Sequence, residues 1–138
     1  MKIEHIAIWT RNLEELKSFY CDNFGAKAGK KYLNPEKQFE SYFLTFDTGA
    51  RLELMRKPNL EPCTVLEPSH RQGIAHIAFE LESKAGVDRK AEQLSNMGIT
   101  IQNGPRTTGD GYYEFVINDP DNNSIEIVYN PKNKRTDK

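Results

Sequence analysis

Four residues of this chain have types and spacing suited to chemistry: His5, Glu53, His76 and Glu126. Each histidine sits in a near-repeated phrase, Ile3-Glu4-His5-Ile6-Ala7-Ile8 and Ile74-Ala75-His76-Ile77-Ala78-Phe79. Each glutamate sits between apolar neighbours, Leu52-Glu53-Leu54 and Ile125-Glu126-Ile127. The histidines lie 71 positions apart and the glutamates 73, so each copy of a duplicated unit supplies one His and one Glu. Two imidazoles and two carboxylates suit a borderline divalent cation, Zn²⁺, Ni²⁺, Co²⁺, Mn²⁺ or Fe²⁺, with one ion per site. Four protein ligands leave an octahedral ion two positions for water or substrate. A glutamate taken singly from an alternating strand most often faces solvent. A carboxylate buried mid-strand without a partner loses its hydration at high cost. The two-by-two match favours the shared site. Glu4, Glu80 and Glu114 have no such match and are read as ordinary polar strand positions.

The elements that must position these groups follow from periodicity. Residues 3–9 alternate as a strand, with His5, Ala7 and Trp9 on one face and Ile6 and Ile8 on the other. Asn12 is expected to cap a helix, with Glu15 in capping-box position. Leu13, Leu16, Phe19, Tyr20 and Phe24 then recur at helical spacing, and Gly25 suits the helix end. Residues 30–38 read as a polar loop or strand edge. Residues 41–47 and 51–56 read as strands joined by a hairpin turn at 47–50. In the second unit a strand is expected over 74–81 and a helix over 84–97, with Val87, Ala91 and Leu94 inward and Gly98 as its stop. A short strand at 99–102 precedes a loop that holds Arg106 between Gly104-Pro105 and Gly109. Strands at 112–118 and 124–129 flank a turn at 119–123.

Each half thus reads strand, helix, strand, strand, strand. The expected class is α+β: two tandem βαβββ modules forming curved mixed sheets around a metal-centred cavity, with helices on the outer face. Ile6, Ile8, Leu52, Leu54, Ile77, Phe79, Ile125 and Ile127 pack towards the helices. The opposite faces, with His5, Glu53, His76 and Glu126, line the cavity. The expected organisation is a single domain over 1–130: module 1 (1–57), a proline-marked linker (58–72) that holds His70 with no ligand spacing around it, and module 2 (73–130). Residues 131–138 are expected to be a disordered tail.

Composition bounds the function classes. At 138 residues the chain is long enough for one core burying about two-thirds of its unfolded surface. With 28% charged residues, a net charge of −1 and a mean hydropathy of −0.72, nothing draws it to nucleic acid or anionic membrane. Cys21 and Cys63 are too few for a disulfide framework and lack zinc-site spacing. Free thiols, no membrane span and no signal peptide make the cytoplasm the expected location.

The repeated unit, the His-Ile-Ala openings and the Leu-Glu-Leu and Ile-Glu-Ile closings resemble the vicinal oxygen chelate superfamily, nearest to small glyoxalase I-like (lactoylglutathione lyase-like) proteins. Phe19-Tyr20 before Phe24-Gly25, and Asp119-Pro120-Asp121 ahead of Ser124-Ile125-Glu126, strengthen the likeness. The resemblance implies a divalent metal held by His5, Glu53, His76 and Glu126, often across a homodimer interface with two ligands from each subunit. It implies a small-molecule substrate, the hemithioacetal of methylglyoxal and glutathione or a similar α-hydroxycarbonyl, converted through an enediolate. By correspondence Glu126 is the base, with Glu53 a ligand or second base. Two positions depart from the glutathione-using pattern: Trp9 stands where an arginine is common and Lys57 where an asparagine is. Trp9, on the ligand face, is expected to form an aromatic wall. Arg51, Lys57 and Arg106, with Arg11, are the cations available to an anionic substrate.

Other chemistries of the same superfamily remain open. Ring-cleaving dioxygenases and fosfomycin-type thiol transferases typically use two histidines and one glutamate, which leaves Glu53 without a role. Epimerases share the four-ligand proton-transfer pattern. A bleomycin-resistance-type binding protein needs no metal, and the complete ligand set argues against it.

Overall fold

The first His-Ile-Ala phrase folds as an edge strand. In the computed structural model, which describes residues 1–62 and 72–133, β1 (His5–Trp9) pairs in parallel with β5 (Arg51–Arg56). β4 (Phe39–Thr45) lies antiparallel on the other side of β5. β2 (Lys27–Ala28) and β3 (Tyr32–Asn34) are short antiparallel additions to β4. The chain divides into two compact units, Met1–Thr64 and Val65–Lys138, and these strands belong to the first. The expected linker lies outside the described residues from 63 to 71, with Cys63 and His70, and so do tail residues 134–138.

Helix α1 (Leu13–Phe24) covers one face of this sheet. Its stripe Leu13, Leu16 and Tyr20 meets Leu44, Leu52 and Leu54, and none of these six is more than 3% exposed. Gly25 ends the helix in the left-handed region (φ +66°), and its N–H reaches back to the Tyr20 carbonyl. The expected capping box at the other end does not form. Asn12 makes no side-chain cap bond. Its own N–H donates to Thr10 Oγ1 (3.0 Å), and its backbone (φ −123°, ψ 68°) departs from the extended geometry a cap requires. Glu14 in the first turn instead ties the helix to the sheet, accepting from Lys31 Nζ (3.0 Å) and Tyr42 Oη (2.9 Å). The Lys31 hydrogen bond foremost holds the Glu14 carboxyl down at about 2.

The second unit repeats the plan. β6 (Ile77–Glu80) runs parallel to β9 (Ser124–Tyr129), and β8 (Tyr113–Asn118) pairs antiparallel with β9. β7 (Asn103–Thr107) closes the far side of β8. Helix α2 (Lys84–Asn96) begins at Ser83, whose hydroxyl accepts the Gly86 N–H (3.0 Å). Val87, Ala91 and Leu94 are buried as their spacing requires, together with Phe115, Ile117, Ile125 and Ile127. The result is the expected α+β class: two mixed sheets, each with one helix on one face.

Three differences from expectation have local causes. The strand expected over 74–81 begins only at Ile77, where pairing with Ile125 starts, so His76 sits just before it. No strand forms at 99–102; it forms at Asn103–Thr107, where a loop was expected. Gly104 (φ +85°) and Pro105, which has no N–H to donate, sit at a register shift between Asn103 and Arg106. An edge strand tolerates such an interruption. The first unit also gains β3 in the stretch read as loop or edge. Ile6, Ile8, Ile77 and Phe79 are only half-buried, because β1 and β6 are outer strands with a neighbour on one side alone. No helix among the described residues is long and apolar enough to cross a membrane.

Candidate metal centre

Strand phase places the first pair. Ala7 lies opposite Glu53 in the parallel β1–β5 register, and His5, two positions earlier, shares their face, away from α1. His5 Nε2 stands 3.9 Å from Glu53 Oε1, with the imidazole 41% exposed and the carboxylate 15%. Glu4, read from sequence as an ordinary polar position, contacts the other ring nitrogen: its Oε2 lies 3.0 Å from His5 Nδ1. The same carboxylate accepts from the Arg51 guanidinium. That contact foremost, with His5 helping, holds the Glu4 carboxyl below the usual range. A carboxylate on Nδ1–H leaves the Nε2 lone pair free towards Glu53. Phe43, opposite Glu53, packs edge-on to the imidazole at 5.4 Å.

The second pair follows the same rule. Ala78 lies opposite Glu126, and His76 Nε2 stands 3.2 Å from Glu126 Oε2. Ala75 occupies the place of Glu4, so this imidazole has no matching carboxylate at that position. Glu114 is the residue that sequence reasoning missed. It lies opposite Arg106 in the β7–β8 register, and two positions before Val116, which faces Glu126. Glu114 is 9% exposed. Burial first, then the Glu126 charge, pushes its carboxyl up, while Arg106 pulls the other way. The available signal was strand parity: Glu114 sits out of phase with the core residues Phe115 and Ile117. Its counterpart in the first unit, Ser41, is not acidic, so the two-by-two match of the repeat does not include it.

A carboxyl raised in the folded state favours folding below its unfolded pKa and loses that contribution as pH climbs through the folded value. Ionised Glu114 is therefore a destabilising group at neutral and higher pH. Glu114→Gln is expected to raise stability at pH 8 by on the order of 1 kcal/mol and to change nothing below the ordinary glutamate value of 4.5. Thermal melts at both pH values check it; a loss at pH 8 refutes it.

The cations named for substrate separate by environment. Arg51 is engaged by Glu4 and lies over Phe43 at 4.1 Å. Arg106 is set against Glu114. Lys57 holds its ammonium 4.8 Å from the ring of Trp9, which is 46% exposed and edge-on to Phe39 at 6.0 Å.

The donor chemistry fits a divalent cation. Two donors on one ion at about 2.1 Å stand about 3.0 Å apart at a right angle and about 4.2 Å apart in line. The separations of 3.9 and 3.2 Å both fall in that interval. Each unit brings one His–Glu donor pair together, and among the described residues no three or more His, Cys, Asp or Glu are grouped so that they could hold a metal ion.

Known proteins share this sequence pattern and fold. A family profile described as Glyoxalase/Bleomycin resistance protein/Dioxygenase superfamily matches residues 2–127. Uncharacterized protein YqjT of Bacillus subtilis is 27% identical over 132 residues, covering 91% of this chain and 97% of that protein. The trypanothione-dependent glyoxalase I of Leishmania major superposes with a TM-score of 0.73 at 21% identity, over 94% of this chain and 86% of that one. A lactoylglutathione lyase from Agrobacterium tumefaciens superposes with a TM-score of 0.67 at 22% identity, over 92% of each chain. At these identities the structural likeness establishes the fold.

Proposed function

Since this chain belongs to the Glyoxalase/Bleomycin resistance protein/Dioxygenase superfamily, we propose that it is a metal-dependent, glyoxalase I-like lyase or isomerase. Its substrate is a hemithioacetal or similar α-hydroxycarbonyl, converted through an enediolate. The observation that carries this reading is the pair of matched His–Glu contacts, His5–Glu53 and His76–Glu126, one per unit. Fold likeness to proteins named glyoxalase I and lactoylglutathione lyase supports it. The four residues hold one divalent ion (Ni, Co, Zn, Mn or Fe). The full set is assembled in a homodimer, the first pair from one copy and the second from the other.

When bound, the cation supplies charge stabilisation to the enediolate oxygens. Glu126 takes the proton from the carbon next to the carbonyl and returns it to the neighbouring carbon, so the step involves no net redox change. Glu53 holds the ion or serves as second base. Dioxygenases and thiol transferases of the superfamily leave the Glu53 position outside the ligand set. The 3.9 Å approach of Glu53 to His5 favours the four-ligand reading.

Elemental analysis tests this first, with about one divalent ion expected per set of four ligands. Turnover of methylglyoxal is then assayed with glutathione and with other thiols. Failure to recover or reconstitute a stoichiometric ion sinks the proposal. Glu4→Gln is expected to weaken metal affinity about tenfold, the scale of a lost partner behind a ligating histidine. Competition with a chelator measures it, and unchanged affinity removes the orienting role of Glu4.

A further inference from the structure

His5 and His76 hold matching places in the two units and are almost equally exposed, 41% and 42% at the side chain, yet their surroundings differ. Around the first imidazole, His5, Glu4, Arg51 and Phe43 contact one another in a closed ring. The Arg51 guanidinium grips the Glu4 carboxylate through Nε, 3.3 Å from Oε2, and through a terminal nitrogen on Oε1. The same Oε2 lies 3.0 Å from His5 Nδ1. Arg51 Cζ stands 4.1 Å from the centre of the Phe43 ring, and Phe43 meets the imidazole edge-on at 5.4 Å. Strand register builds the ring. Arg51 is the β5 partner of His5, its N–H donates to the Glu4 carbonyl (2.8 Å), and Phe43 is the β4 partner of Glu53. In the second unit the same places hold Ala75, Ser124 and Val116, none of which carries a charge or a ring. There His76 Nε2 lies 3.2 Å from Glu126 Oε2, within reach of a hydrogen bond.

We propose that Arg51 and Phe43 are positioning residues for His5, which makes His5–Glu53 the anchoring half of the ligand set. Together with Glu4 they fix the ring with its Nδ1–H on the carboxylate and its Nε2 lone pair towards Glu53. A ligating imidazole must present that lone pair in one direction, and a ring already held there loses less rotational freedom on binding. The planar guanidinium fork, holding both oxygens, keeps the Glu4 carboxylate from swinging to solvent. Phe43 walls the imidazole on one side while its own face is covered by the guanidinium. Arg51 is thereby committed to Glu4 rather than to an anionic substrate. His76 lacks this frame, so the second pair is the half free to shift when Glu126 takes up a proton. This assignment rests on the proposed function only in taking His5 Nε2 as a metal donor.

The metal-free full chain tests the frame without the ion. Long-range proton–nitrogen NMR is recorded at about pH 8.5, where a free imidazole is neutral, with each histidine assigned by its Gln variant. His5 is expected as the Nδ1–H tautomer and His76 as the Nε2–H tautomer donating to Glu126. Arg51→Gln and Phe43→Leu are each expected to move His5 towards a tautomer mixture, with the far-ultraviolet circular dichroism unchanged. Each should also weaken affinity for a divalent ion about fivefold in competition with a chelator, less than loss of the partner on the histidine itself. Because Arg51 acts through Glu4, adding Arg51→Gln to Glu4→Gln is expected to weaken affinity no further. At saturating ion the KM of Arg51→Gln should stay within about twofold of the parent. A KM raised about tenfold or more, with tautomer and metal affinity unchanged, makes Arg51 a substrate contact and overturns the frame. An Nε2–H tautomer at His5 in the parent, or additive losses in the double variant, overturns it too. An Nδ1–H tautomer lost in both single variants, with no recoverable metal in any form, leaves the frame standing and removes the proposed function. Metal binding and turnover with one His5 tautomer in every variant does the reverse.

Discussion

Glu126→Gln is expected to lower kcat by about 10²–10⁴-fold, the range over which a positioned base contributes, while substrate binding changes little. The amide matches the carboxylate in size but does not accept a proton at neutral pH. The side chain lies between His76 Nε2 at 3.2 Å and the buried Glu114, so the substitution keeps the local packing. Proton transfer and metal holding must be separated, because both roles fall to the same carboxylate. Turnover is therefore measured at increasing concentrations of divalent ion, with occupancy determined alongside. A loss that persists at full occupancy identifies the base. Recovery of turnover at high metal identifies Glu126 as a ligand alone, and unchanged turnover at any occupancy excludes both roles.

The largest expected effect on stability lies at Gly104. A Cβ there would stand 2.5 Å from the Glu114 carbonyl oxygen and 3.0 Å from Phe115 Cα, both backbone atoms of a central strand. Neither is the flexible end of a side chain, so the strand itself must yield. The backbone at φ +85° is also one that side-chain-bearing residues resist. Gly104→Ala is expected to cost about 2–4 kcal/mol, combining overpacking with backbone strain. At this chain length that lowers Tm by on the order of 10 °C. Gly109→Ala is the control, since a Cβ there meets nothing within 4 Å and its backbone is not left-handed. It should stay within about 0.5 kcal/mol of the parent. If the two variants melt alike, the close approach of β7 to β8 is wrong. Because β7 carries Arg106 opposite Glu114, Gly104→Ala should also disturb the surroundings of Glu126.

Local periodicity accounts for what was legible in the sequence. The stripe Leu13, Leu16 and Tyr20, its counterpart Val87, Ala91 and Leu94, and the alternation around Glu53 and Glu126 each depend on residues a few positions apart. From them alone come the two helices, the main strands and the face on which each His and Glu stands. A repeat of about seventy residues then pairs His5 with Glu53 and His76 with Glu126, and their side-chain contacts follow from strand phase. The family follows from the same motifs.

Cross-strand register belongs to the tertiary structure, because it is set by packing between segments far apart in sequence. It brought Glu4 to Arg51, 47 residues away, and made Glu4 the partner of His5 rather than a solvated position. It set Glu114 beside Glu126 and opposite Arg106, although nothing local marks Glu114 as different from Glu80. It moved the expected strand from 99–102 to Asn103–Thr107, where pairing with β8 outweighs the glycine and proline that suggested a loop. It also set Arg51 against Glu4 and Lys57 over the ring of Trp9, a distinction composition does not contain. Periodicity fixes which way a side chain points, and only the neighbouring strand decides what it meets there.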